Sequence, residues 1–185
     1  MDDFVTSDGV VFGRFTRSPN QQFLLVWKDE WQCGGQKKKG PIYLFKNGVE
    51  LFKTRVQRPN DCEVANNGSF VVCDWLFTEK LESVFHAFSS VGDVLVQKRF
   101  RANLNSAAIS DDGSYAVCHT AESDGRHSEL CSLYDLNQRE EVWHTYLPFW
   151  PDAYAFSIPA MELTISTNRS LYKRCVMSLK PEAES

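Results

Sequence analysis

The residues able to do chemistry are few, and their spacing favours binding over catalysis. The four histidines, His86, His119, His127 and His144, show neither the HxH nor the HxxxH spacing that brings two imidazoles onto one metal. No GxSxG elbow, P-loop or Rossmann glycine pattern occurs, and ESDGRHS (122–128) lacks the alternating oxygen ligands of a calcium loop. A nucleophile–base pair of Cys33 and His127 is geometrically possible, but nothing in their spacing supports it. No cofactor and no metal are expected. Asn60, Asn105 and Asp152 are different, because they recur at intervals of 45 and 47 residues. Such side chains either converge on a ligand or cap their own turns by bonding backbone. Trp27, Trp31, Trp75 and Trp150, beside Asp29, Asp74, Arg58, Arg126 and Asp152, form a candidate contact surface for a protein or peptide. Trp27 and Trp75 read equally as core residues ending their strands, whereas Trp31 sits in a polar loop. QKKKG (36–40) reads as a solvated tip or as a phosphate clamp.

The elements that must position these residues are strands. SDDGSYAVC (110–118) has a near twin, ANNGSFVVC (65–73), displaced by 45 residues. An Asx-Asx-Gly turn supplies the positive φ of a tight hairpin, and the apolar run after it reads as a buried strand. Phe23 in FLLVW aligns with Phe70, and Phe70 with Tyr115. Cys73 and Cys118 then take equivalent strand positions, where a thiol acts as a small apolar filler. Further hairpins are expected around Asn47-Gly48, Ser89–Gly92 and Asp135–Arg139. No apolar period of 3.6 residues is sustained over three turns. TEKLESVFHAF (78–88) could form a short helix, but the repeat assigns it to a strand. The chain is expected to be all-β, with about four short strands per 45-residue unit.

Composition sets outer bounds. The 185 residues, 43% apolar and 24% charged, suit a globular domain with a substantial core. A net charge of −4 gives no drive toward nucleic acid or anionic membrane, and neither is expected as a partner. No apolar run is long enough for a spanning helix, and no secretory signal is evident at the N-terminus. The six cysteines form no CxxC pair and read as reduced thiols, which places the protein in the cytoplasm.

A unit of this length, in which S-x-D-G-x-Y/F precedes an apolar strand, resembles the WD-repeat and related β-propeller families. No GH dipeptide opens the units and no WD dipeptide closes them; Tyr134-Asp135 is the nearest counterpart. Arg17 stands where the other units have Val64 and Ile109. The resemblance implies a single domain of four-stranded antiparallel blades, near 13–57, 58–101, 102–148 and 149–180, with 181–185 as a tail. The last unit lacks a strand, which GVVFGRF (9–15) is expected to supply, closing a small ring. The alternative is a half-ring that pairs with a second copy as a homodimer.

In such a fold the loops between second and third strands share a face with the blade-linking segments, and binding residues concentrate there. The expected site comprises Trp31, Arg58, Asn60, Trp75, Asn105, Arg126, Trp150 and Asp152. The expected function is a non-enzymatic scaffold that grips a protein or peptide. The competing readings are a hydrolase or lyase with a polar site at the channel mouth, and a structural subunit of a homo-oligomer.

Overall fold

The computed structural model describes residues 2–29, 37–167 and 170–176; over them the chain is strand and turn, with no helix. Sixteen strands form four antiparallel sheets, each a simple meander. The first contains β1 (Asp2–Thr6), β2 (Gly9–Arg17), β3 (Phe23–Trp27), β4 (Gly40–Lys46) and β5 (Val49–Val56). The second contains β6 (Pro59–Val64), β7 (Phe70–Trp75), β8 (Ser83–Phe88) and β9 (Val94–Phe100). The third contains β10 (Leu104–Ile109), β11 (Tyr115–Thr120), β12 (Leu130–Asp135) and β13 (Glu140–Tyr146). The fourth contains β14 (Ala153–Ser157), β15 (Glu162–Thr167) and β16 (Ser170–Val176). The ambiguous segment 78–88 is strand from Ser83, and the expected hairpins stand at Asn47-Gly48, Ser89–Gly92 and Asp135–Arg139.

The sheets stack face to face, and the central strands of the first three are covered on both sides. That is why FLLVW and FVVCDW are continuous apolar runs, while outer strand β5 alternates between exposed and covered positions. Leu25, Ile42 and Leu44 of the first sheet meet Val64, Phe70 and Val72 of the second. Val71, Cys73 and Phe85 meet Ala107, Ile109, Cys118 and Tyr134 of the third, with Phe85 stacked on Tyr134 at 5.3 Å. Val117, Cys131 and Leu133 meet Leu163 and Ile165 of the fourth.

The register corrects the alignment of the twin motifs. In the third sheet Ser110 N–H bonds the carbonyl of Tyr115, and pairing resumes at Ile109 with Ala116. In the second, Ala65 N–H bonds the carbonyl of Ser69, and pairing resumes at Val64 with Phe70. The second turn is therefore one residue shorter, and a slip of one residue turns a strand's side chains to its other face. Phe70 corresponds to Ala116, not to Tyr115, and Cys73 corresponds to His119, not to Cys118.

The N-terminal strand also differs from expectation. Residues 9–15 do not complete the fourth sheet; they belong to β2, which pairs with β1 through Gly9–Gly13 and with β3 through Arg14–Arg17. Among the described residues the fourth sheet keeps three strands. The physical reason lies in the first sheet's outward face, where Leu24, Val26, Tyr43 and Phe45 need cover and receive it from Phe4 and Val11. The β1–β2 tip is tied down by Asp8, which accepts from Lys53 Nζ at 2.9 Å and from the Tyr43 hydroxyl at 3.1 Å. A local ribbon closes that face with a short loop, at lower entropic cost than a strand borrowed from the far end of the chain.

Candidate functional site

The innermost strands β2, β6, β10 and β14 line a cavity of about 640 Å³ on the axis of the array. Its walls carry Arg17 and the carboxylates Asp61, Glu63, Asp111 and Asp152, with Tyr154 among the apolar lining. Asp61 and Glu63 are two apart on β6, so they share the face that looks toward the third sheet, while Cys62 and Val64 pack toward the first. Burial pushes both carboxyls up: Asp61 is raised, and Glu63 rises to about 7, helped by the charge of Asp61. Backbone N–H groups of Ala107 and Ile109, on β10, pull in the opposite direction.

These contacts belong to a repeated brace between neighbouring inner strands. Arg14 NH1 donates to the carbonyl of Asn60 at 2.8 Å, Asp61 meets the backbone of Ala107, and Ser106 Oγ lies 2.8 Å from the hydroxyl of Tyr154. Arg, Asp and Ser are chemically unrelated, and sequence reading missed the equivalence for that reason. The signal that could have found it is the interval of 45 residues between Asp61 and Ser106, the same as between Asn60 and Asn105.

The structure does not bring the expected site residues together at one place. Asn60 and Asn105 both occupy bulges at the start of their inner strands, between Pro59 and Asp61 and between Leu104 and Ser106. Neither lines the cavity; of that trio only Asp152 does, exposed at its mouth. Arg58 and Trp75 form a second group. Arg58 donates to Asp29 at 2.9 Å and lies over the Trp75 ring at 5.6 Å, while Trp75 Nε1–H bonds the carbonyl of Leu104 at 2.9 Å. Trp75 is thus half-buried and ties the second sheet to the third, and Trp27 is core at 5% exposure. Trp150 is open to solvent at 61%. Arg126 stands apart, beside Arg99, Arg101 and His127. Trp31 and Cys33 lie outside the described residues.

The remaining candidates offer no catalytic arrangement. His127 Nδ1 already accepts the backbone N–H of Arg101 at 2.9 Å. His119 is buried, bonded to the carbonyl of Leu147, and burial lowers its pKa, so it stays neutral. Lys37 donates to the carbonyl of Phe77, with Lys38 and Lys39 exposed beside it. Among the described residues no His, Cys, Asp or Glu group is arranged to hold a metal ion.

Stacked antiparallel meanders of this kind are matched by solved structures. HIRA(644-1017) superimposes with a TM-score of 0.59 at 15% identity, covering 83% of this chain and 46% of that one. Sqt1 of Saccharomyces cerevisiae gives 0.56 at 11% identity, covering 89% and 51%. Both are WD40 β-propellers. The fold is β-propeller. The chain spans about half the length of those two structures. No protein-family model matches the sequence, and no curated protein does. In propeller terms the sheets are blades, and the cavity lies where the channel runs.

Proposed function

We propose that the chain is a non-enzymatic scaffold module that binds a protein partner, taking a lysine- or arginine-bearing segment at the mouth of the axial cavity. The observation that carries this reading is the cavity wall: Asp61, Asp111, Asp152 and the raised Glu63 stand against Arg17, with Asp61 and Glu63 on β6, which is braced to β10, and Asp111 and Asp152 in the turns beside β10 and β14. Acidic side chains held around one cavity by a braced strand array lose little entropy on binding, which favours recognition of an extended cationic segment. The aromatic and arginine residues of the loop face, Trp150 and Arg58 among them, extend the contact beyond the mouth. The buried free thiols Cys62, Cys73, Cys118 and Cys131 are consistent with a reducing compartment, and we assign the protein to the cytoplasm.

A hydrolase or lyase reading has one observation in its favour, the Glu63 carboxyl raised to about 7 beside Asp61. Glu63 also engages the backbone N–H of Ile109, however, which assigns it to the brace between blades. The two readings separate in a capture experiment from the native host at graded salt. The expected result is a partner retained by wild type and by Glu63→Gln, released as salt rises, and lost from the D111K/D152K variant. Recovery of the same partner by the charge-reversed variant would overturn the axial reading.

A further inference from the structure

On the loop face, between the second and third blades, Arg99, Arg101, Arg126 and His127 line a cavity of about 400 Å³ together with Glu82. Arg99 is paired with Glu82 at 2.8 Å, and nearby Lys98 with Glu141 at 3.5 Å. Arg101 and Arg126 have no carboxylate partner among the described residues. Three guanidinium groups against one carboxylate leave two net positive charges, matching the charge of a phosphate monoester dianion.

The site is built, not merely charged. Thr120 Oγ1 donates to the carbonyl of His127, and Tyr146 hydroxyl donates to the carbonyl of Arg126 at 3.4 Å. Ser123 N–H bonds Ser128 Oγ at 3.0 Å, closing the loop that carries both residues. Because His127 Nδ1 accepts the N–H of Arg101, its proton sits on Nε2, which is left as a donor. Edge-on contact with Phe100 at 5.5 Å fixes the ring plane.

We propose that this pocket receives a phosphate monoester on a side chain of a protein partner, a reading that rests on the protein-binding role above. Arg101 and Arg126 supply planar forks suited to phosphate oxygens, and His127 supplies a third donor. The peptide source is favoured by an adjoining cavity that shares Glu82 and Arg101 and holds the exposed Leu81, a seat for an apolar neighbour of the phosphorylated residue. A nucleic acid is disfavoured because Glu82, Asp124 and Glu141 bound the basic pocket, leaving no track for successive phosphates.

The test is a titration with N-acetyl-phosphoseryl-leucine amide, followed by the imidazole NMR signals of His127. The controls are the unphosphorylated dipeptide, inorganic phosphate and a single-stranded oligonucleotide. The phosphorylated dipeptide is expected to saturate and to bind more tightly than all three. R101Q and R126Q should each weaken it about tenfold, the value of one charge-assisted hydrogen bond. Both arginines are exposed, so unchanged melting temperatures should accompany that loss. Equal binding by the R101Q/R126Q double variant, or preference for any control, would overturn the proposal. D111K/D152K should bind the dipeptide like wild type, so failure of the axial reading and failure of this one are distinguishable.

Discussion

Cys73 and Cys118 occupy the same place in twin motifs 45 residues apart, yet they face each other's sheets within one core, between the second and third blades. The cause is the single residue by which the turn at 65–69 is shorter than that at 110–115, which rotates β7 relative to β11. Had the strands obeyed the sequence repeat, the two thiols would lie in different cores.

Shared burial makes their truncations interact. C73A and C118A each remove a buried sulfur and should cost about 1–2 kcal/mol. Within one core the two cavities merge or collapse together, so the double variant should depart from additivity by more than about 0.5 kcal/mol in urea unfolding. Additive costs would place them in separate cores. In a C33S/C175S background, the native protein should also resist a thiol reagent until denatured, because burial pushes the Cys62, Cys73 and Cys118 thiols up.

The turn that sets this register is itself sensitive. Gly113 has φ +76°, and a Cβ there would meet the Asn67 side chain at 2.4 Å. The left-handed backbone alone costs roughly 1–2 kcal/mol in a residue with a side chain. G113A should therefore destabilise by about 2 kcal/mol. Adding N67A removes the clash but also the bond that Asn67 Oδ1 accepts from Ser69 N–H at 2.8 Å, so it should recover at most the steric share, and the φ strain stays. Full recovery in the double variant would show that the backbone carries no strain.

Much of this architecture is legible in the sequence, because turn chemistry and strand apolarity are local. Asn47-Gly48 and Asp111-Asp112-Gly113 mark their hairpins, and the continuous run FVVCDW announces a strand covered on both sides. What escaped was non-local. The β1–β2 ribbon folds back over Leu24 and Phe45, and nothing within GVVFGRF distinguishes that cover from a strand lent to the last blade. Of the residues that line the two cavities, Asp152 stands out in the sequence through the repeat interval and Arg126 through its position in a polar loop. Asp61 and Glu63 were passed over because paired acids on a strand look like an ordinary solvated edge. Arg101 lies in a blade-linking turn and gains meaning only beside Arg126 and His127.

The raised carboxyl of Glu63 couples folding to pH. Its ordinary value is 4.5 and its folded value about 7, so between them the folded chain holds a proton that the unfolded chain has lost. Stability from this group is fully present below 4.5 and declines as pH rises through 7. The displacement corresponds to on the order of 3 kcal/mol. Asp61, raised in the same direction, adds to the decline at lower pH, and Arg14 facing it opposes the effect. Wild type should unfold at lower urea at pH 7.5 than at pH 5, and Glu63→Gln should remove most of the difference. An unchanged slope in that variant would assign the dependence elsewhere.

Asp74 is the buried anchor of the loop face. Its Oδ1 accepts the backbone N–H of Arg58 at 2.7 Å, and its Oδ2 lies 3.3 Å from His86 Nε2, with both side chains almost fully covered. Arg58 N–H belongs to the linker between the first two blades, so the bond fixes where Arg58 leaves the backbone to reach Asp29 and Trp75. Removing the carboxylate leaves the Arg58 N–H and the buried His86 Nε2 without their partner, and D74A should cost about 2–4 kcal/mol. Asp74→Asn keeps one acceptor oxygen for Arg58 and offers His86 only an amide, so it should fall between wild type and D74A. Hydrogen exchange at the Arg58 amide distinguishes local from global loss: D74A should accelerate it beyond the change in global stability, and D74N should not. If D74A leaves both stability and that amide unaltered, Asp74 does not hold the linker.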